Sequence, residues 1–273
     1  MVFRRRSLAL LSRRWIGEVA VHLFPSQCFA CERSLPRTQL LNACMECWAS
    51  LGVGAAPRCG RCALPLPEGT SRVAGSTCLG CAVRPLPFDG AVAAVGYDER
   101  ARRFLLRAKN GHRPELLTVL AGQLAAAVAL SRLDRNVDAV ISVPSTPWAR
   151  LRRGFDPARV LAMELARATG LRFVHAALRK RSMTAPASKA LGASARWAAA
   201  MGSIKSRRSL PGTTVLLVDD VLTTGATAAA CAAALREAGA SEIRVAVWAR
   251  TPSPQVLTGR GSGAYNRGFP ETD

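Results

Sequence analysis

Val215-Leu-Leu-Val-Asp219-Asp220-Val221-Leu222-Thr223-Thr224-Gly225-Ala226-Thr227 is the stretch that decides how this chain is read. Its first four apolar residues predict a short buried strand over 215–218. Two adjacent carboxylates follow, then a small, hydroxyl-rich turn, then an alanine-rich helix from Thr227 to about Gly239. That order presents backbone N–H groups and threonine hydroxyls at a helix N-terminus, where exposed donors and the helix dipole favour a phosphate. Asp219 and Asp220 fall at the carboxyl end of the strand, within reach of the hydroxyls of a sugar carrying that phosphate. An ordinary strand–helix turn needs one capping carboxylate at most. The run is neither a Walker A loop nor a dinucleotide G-x-G-x-x-G. A sugar phosphate is the ligand it suits.

Outward from this stretch, strands and helices alternate. Strands are expected at 90–97, 137–143 and 243–248. Helices are expected at 99–108, from Pro114 to about Leu130, at 157–169 and at about 194–201. The predicted fold is α/β, a parallel sheet with helices on both faces, whose ligands bind at the carboxyl ends of the strands. The Pro144 turn and the Asp219/Asp220 turn both lie at such ends.

Eight of the nine cysteines form four C-x-x-C pairs: Cys28/Cys31, Cys44/Cys47, Cys59/Cys62 and Cys78/Cys81. Two such pairs can surround one Zn²⁺ tetrahedrally, so two closed, structural Cys₄ zinc sites are expected. Sequential pairing is the simplest, and an interleaved one is compatible with the spacing. The segment is poor in apolar residues and needs metal to fold. It should unfold over about 28–81 independently of the sheet. Cys231 stands alone and reads as a small core residue.

The net charge is +20. Of the 38 basic residues four are lysine (Lys109, Lys180, Lys189, Lys205), leaving 34 arginines. The excess suits a polyanionic ligand, nucleic acid or a plain solvated surface. No apolar run reaches the ~18 residues of a membrane helix. The arginine-rich start lacks an export signal, so a cytoplasmic location is expected.

The thirteen-residue stretch resembles the phosphoribosyl-pyrophosphate (PRPP) loop of type I phosphoribosyltransferases. Added to the cysteine ribbon, Tyr97, Lys109, Val143-Pro144, Arg153-Gly154-Phe155 and Arg196, it makes residues 24–252 resemble the ComF family, with its GntX-type members. The resemblance implies a double zinc ribbon (25–84) and a phosphoribosyltransferase-like domain (88–252). The arginines before them read as a basic N-terminal extension (1–24), and the aperiodic Gly-Arg-Gly-Ser-Gly stretch after them as a disordered tail (253–273). The resemblance implies that Asp219 and Asp220 hold the ribose, that Thr223, Thr224, Gly225, Ala226 and Thr227 hold the 5-phosphate, and that Val221 and Leu222 belong to the same PRPP-binding loop. Ser142 to Thr146, with the PRPP-binding candidates Val143, Pro144 and Ser145, is the expected pyrophosphate turn, with charge from Arg150, Arg152 or Arg153. Lys109 reaches in from a mobile loop to join Asp219 and Asp220 in catalysis. PRPP and Mg²⁺ are the expected ligands, with transfer of ribose 5-phosphate to an unknown acceptor. The alternative is a non-catalytic competence or DNA-uptake factor whose zinc ribbons and arginine-rich surface contact single-stranded DNA or a DNA-uptake helicase. Family members commonly carry Asn-Gln where this chain has Asp156-Pro157. Further amides are replaced at Ala187 and Ala199, so the acceptor half departs from the family while the PRPP half matches it.

Overall fold

The computed structural model describes residues 27–28, 30–35, 43–51, 57–67, 76–83, 86–110, 115–180 and 200–252. The expected N-terminal extension, Pro114, residues 187, 196 and 199, most of the 194–201 helix and the tail after 252 lie outside these. The chain divides into two compact units, Met1–Ser50 and Leu51–Asp273.

The first unit holds a cysteine knuckle. Gln27 and Ser34 form an antiparallel bridge, and Cys28 N–H donates to Arg33 O at 2.8 Å to close a tight turn around Cys31. Cys44 then caps helix α1 (Met45–Ala49), which carries Cys47. The second unit begins with the same device. Arg58 bridges Pro65, Cys59 N–H donates to Leu64 O at 2.8 Å, and Cys81 lies on helix α2 (Leu79–Val83).

The rest of the second unit is a four-stranded parallel sheet in the order β1-β6-β5-β2. Its strands are β1 (Gly90–Gly96), β2 (Ala139–Ser142), β5 (Thr214–Leu222) and β6 (Glu242–Arg250). Their central residues are buried without alternation, as a sheet covered on both faces requires. Odd-numbered strand residues such as Ile141, Leu217 and Val245 share a core with the alanine-rich helix α7 (Ala226–Glu237). On the opposite face Trp248 Nε1 donates to Gln123 Oε1 at 2.9 Å, on helix α4 (Glu115–Ser131). Helix α3 (Glu99–Asn110) precedes α4, and α6 (Pro157–Thr169) packs beside it. The expected strands and the principal helices are present.

Besides the short knuckle helices α1 and α2, three elements among the described residues are additional to the expected ones. Helix α5 (Pro147–Arg153) follows the Pro144 turn and buries no residue. Strands β3 (Leu178–Lys180) and β4 (Ile204–Ser206) pair antiparallel. Each is too short to carry a periodic signal. Two further differences concern the site. Strand β5 runs on to Leu222 instead of stopping at Val218, because its whole length pairs with β6. Lys109 belongs to the last turn of α3 and not to a loop; the residues after it, 111–114, lie outside the described set.

The second cysteine knuckle is built into the sheet unit. Ala63, within its turn, is fully buried in the sheet core beside Phe88, and Ala91 N–H donates to Gly60 O at 2.8 Å. Independent unfolding of residues 28–81 is therefore revised: Cys59–Cys81 shares its packing with the sheet.

Candidate functional site

Sheet register brings the two suspected turns together. Strands β2 and β5 are neighbours with Ser142 opposite Val218, and Val143 N–H donates to Val218 O at 2.9 Å. The Val143–Thr146 turn therefore begins next to Asp219. Thr146 caps α5, its Oγ1 accepting from Ala149 N–H at 3.2 Å. Ser145 is held by Asp156, which accepts from its hydroxyl at 2.9 Å and from its backbone N–H at 3.3 Å. Asp156, noted in the sequence only as a departure, thus anchors the turn.

Because β5 continues through the acidic pair, strand alternation sends the two carboxylates to opposite faces. Asp220 lies on the α3 side, where Lys109 Nζ meets its Oδ2 at 2.5 Å. Asp219 lies on the α7 side, its Oδ1 accepting from Asp220 N–H at 2.8 Å. Burial pushes the Asp219 carboxyl up to about 8, and the neighbouring Asp220 charge adds to this. The Asp220 N–H and Lys109 pull it partway back. Tyr97, half-buried at the end of β1, belongs to the same neighbourhood. Burial raises its phenol while Lys109 and Arg102 lower it.

After Leu222 the chain turns through Thr223, Thr224 and Gly225 into α7. Gly225 is the helix N-cap with φ +82°, a left-handed conformation that a β-carbon disfavours. Thr224 Oγ1 accepts from Ala226 N–H at 3.3 Å, and Thr223 and Thr227 are exposed. Hydroxyls and helix-start N–H groups therefore face one small turn beside two carboxylates. Apart from Lys109 and the backbone amides the turn offers only oxygen atoms, which suit a hard cation such as Mg²⁺. Arg153 is half-buried ahead of Gly154, whereas Arg150 and Arg152 are exposed on α5. Cys231 is fully buried in α7, and burial raises its thiol.

One residue of this region escaped sequence reasoning. Arg250, the last of β6, is 6% exposed. It donates to the carbonyl oxygens of Leu222, the last residue of β5, at 2.8 Å and of Thr223, the first of the turn. On its other side it donates to Cys62 O at 2.8 Å. A lone arginine at a strand end carries no motif, so only the folded chain reveals it.

The eight paired cysteines collect into two groups, Cys28/Cys31/Cys44/Cys47 and Cys59/Cys62/Cys78/Cys81, with all four sulfurs of each within 4.8 Å. The sequential pairing is the one observed. Cys31 Sγ and Cys44 Sγ are 3.7 Å apart, and Cys62 Sγ and Cys78 Sγ 3.6 Å. A tetrahedron with Zn–S bonds of about 2.3 Å has edges of about 3.8 Å, so both groups fit zinc. Backbone donors repeat as well: Cys44 N–H reaches Cys28 Sγ at 3.2 Å and Cys78 N–H reaches Cys59 Sγ at 3.3 Å. Burial opposes ionisation of Cys28, but backbone N–H groups, led by that of Cys44, bring it down to about 6. The Cys62 thiol and then Cys78 N–H hold Cys59 down to about 4. One thiolate, the zinc-binding form, is thus favoured in each group, while burial raises Cys47 and Cys81 and the hydrogen bond with Cys59 raises Cys62.

A family described as phosphoribosyl transferase domain matches residues 115–258, more than half of the chain. The chain belongs to the phosphoribosyl transferase family. A double zinc ribbon domain matches residues 19–83 ahead of it. The chain therefore has the ComF/GntX arrangement. Among curated relatives, a DNA utilization protein YhgH of Salmonella typhi is 26% identical over 232 residues, covering 83% of this chain and 98% of that one. The YhgH of Escherichia coli O6:H1 is 27% identical over 196 residues, 71% and 84% of the two chains. Among solved structures, an allosteric regulatory enzyme of purine biosynthesis is similar with a TM-score of 0.32 at 24% identity. The match covers 48% of this chain and 25% of that one. No helix among the described residues is long and apolar enough to cross a membrane.

Proposed function

We propose that the chain binds PRPP with Mg²⁺ and transfers ribose 5-phosphate to an acceptor. The observation that carries this reading is the Thr223–Thr227 turn at the start of α7, beside Asp220 and one strand away from the Val143–Ser145 turn. The hydroxyls and N–H groups of the turn hold the 5-phosphate. Asp220, and Asp219 behind it, take the ribose hydroxyls. Val143, Pro144 and Ser145 receive the pyrophosphate, with Arg153 supplying charge. Bound Mg²⁺ supplies charge neutralisation for the leaving pyrophosphate. In the free protein Lys109 occupies Asp220. On binding it exchanges that partner for the anionic substrate and becomes the cation nearest the reacting centre. Two zinc ions are structural, and their thiolate ligands suit a reducing, cytoplasmic compartment. Isothermal titration calorimetry of the zinc-loaded chain with PRPP and Mg²⁺ tests the first step. Heat saturating below millimolar is expected, and no heat at millimolar PRPP overturns the reading.

A second reading, a DNA-handling role beside or instead of transfer, is favoured by α5. Its seven residues leave Trp148 59% and Leu151 86% exposed, with the Arg152 guanidinium 5.7 Å from the Trp148 ring centre. An exposed indole among arginines suits stacking against single-stranded nucleic acid. The YhgH relatives carry DNA utilization in their name, and a DNA-uptake helicase is a second partner for such a surface. Binding of a labelled single strand is expected to weaken steeply between about 50 and 200 mM salt. Retention of full binding by Trp148→Ala together with Arg152→Ala excludes α5 as the contact.

A further inference from the structure

Arg250 is a buried cation whose acceptors are all neutral: the carbonyls of Cys62, Leu222, Thr223 and Thr251, and the Thr251 hydroxyl. Burying a guanidinium is costly unless its donors are filled and its charge is balanced nearby. Nε and Nη1 have their acceptors. The balancing charge is available across Cys62, because four thiolates around Zn²⁺ carry a net charge of about −2. The same side chain thus grips the cysteine knuckle with Nε and the substrate turn with Nη1. A second route runs in parallel. Leu86 packs against the Cys59/Cys62/Cys81 cluster and the sheet core, its carbonyl accepts from Arg61 at 3.1 Å, and its Cδ2 lies 3.5 Å from where a β-carbon on Gly225 would sit.

We propose that Arg250 is a positioning residue that couples the second cysteine site to the Leu222–Gly225 turn, so that metal at Cys59, Cys62, Cys78 and Cys81 sets the shape of the phosphate cradle. The metal fixes the Cys62 turn. Arg250 carries that constraint to two consecutive carbonyls, whose orientation determines where the N–H groups and hydroxyls of Thr223 to Ala226 point. Coupling of this kind is reciprocal: a ligand held in the turn strengthens metal retention at the second site and leaves the first alone. The statement about PRPP rests on the function proposed above; the statement about the turn does not.

The test uses the full zinc-loaded chain and Arg250→Lys, which keeps the charge but loses the fork. Arg244→Lys serves as control, since Arg244 sits on the same strand and donates to Leu133 and Arg135 carbonyls at the far end of the sheet. Amide hydrogen exchange at residues 222–226 is expected to quicken on chelation of the parent and, without chelation, in Arg250→Lys, and to stay at parental rates in Arg244→Lys. PRPP affinity should fall about tenfold in Arg250→Lys. Saturating PRPP should slow chelator extraction of one of the two zinc ions, and the lysine variant should lose that protection. Parental exchange at 222–226 in Arg250→Lys overturns the proposal, as does chelation that frees the Cys62 turn without touching 222–226. Should the lysine variant not fold, chelation of the parent decides by that same criterion. Should the parent not bind PRPP, the proposed function fails while the exchange measurement still decides the coupling.

Discussion

Asp219 and Asp220 are neighbours with opposite environments. Asp220 stands beside Lys109 at the rim, while burial holds the Asp219 carboxyl up to about 8. Its folded value lies above its unfolded one, so neutral Asp219 contributes stability that is complete below about pH 4. That contribution is lost as pH rises through about 8. The melting temperature of the parent should therefore fall across this window relative to Asp219→Asn, and parallel melting curves for the two proteins contradict it. Replacing both carboxylates by Asn should leave zinc near two per chain and lower PRPP affinity by at least tenfold. That is roughly 1.4 kcal/mol, a fair figure for charge-assisted bonds to sugar hydroxyls. Unchanged calorimetric affinity would leave the two residues as structural groups of the strand end and no more.

Among the elements, the junction of β5 with α7 turns on Gly225. Its φ of +82° is left-handed, yet a β-carbon there would make only ordinary contact with Leu86. Backbone strain, not lack of room, thus sets the effect of Gly225→Ala. Urea unfolding should show a loss of about 1 to 2 kcal/mol, with weaker PRPP binding because the cradle shifts. A variant equal to the parent in both would show that the turn tolerates an alternative backbone. The Val143–Thr146 turn depends instead on Asp156. Its side chain leaves the cap of α6 unmade and accepts from Ser145. Asp156→Ala should therefore weaken PRPP binding through the pyrophosphate end, read as loss of inorganic pyrophosphate affinity in the same calorimeter. Pyrophosphate bound as tightly by the variant removes Asp156 from that role.

For the whole molecule, the two cysteine sites are alike in geometry but differ in what they support. Cys28→Ser should disturb residues of the first unit and leave the sheet's melting temperature in place. Cys59→Ser should lower it by at least about 5 °C, because Ala63 is part of the sheet core and Gly60 and Cys62 bond to β1 and β6. Equal melting of the two variants would mean that the second site is as separable as the spacing of its cysteines suggests. The cysteine pairs, the parallel sheet and the residues of the candidate cradle were all legible in the chain, because each is written locally. C-x-x-C spacing, apolar runs four to seven residues long, and a T-T-G-x-T turn after an acidic pair depend on neighbours within a dozen positions. What only the tertiary structure decided is non-local. Pairing with β6 carries β5 through Asp219 and Asp220 and parts their side chains. Lys109 reaches Asp220 from α3. Arg250 bonds a carbonyl 188 residues earlier in the chain. Such contacts leave no periodic trace, since their partners become neighbours only when sheet register and burial bring strand ends to one edge.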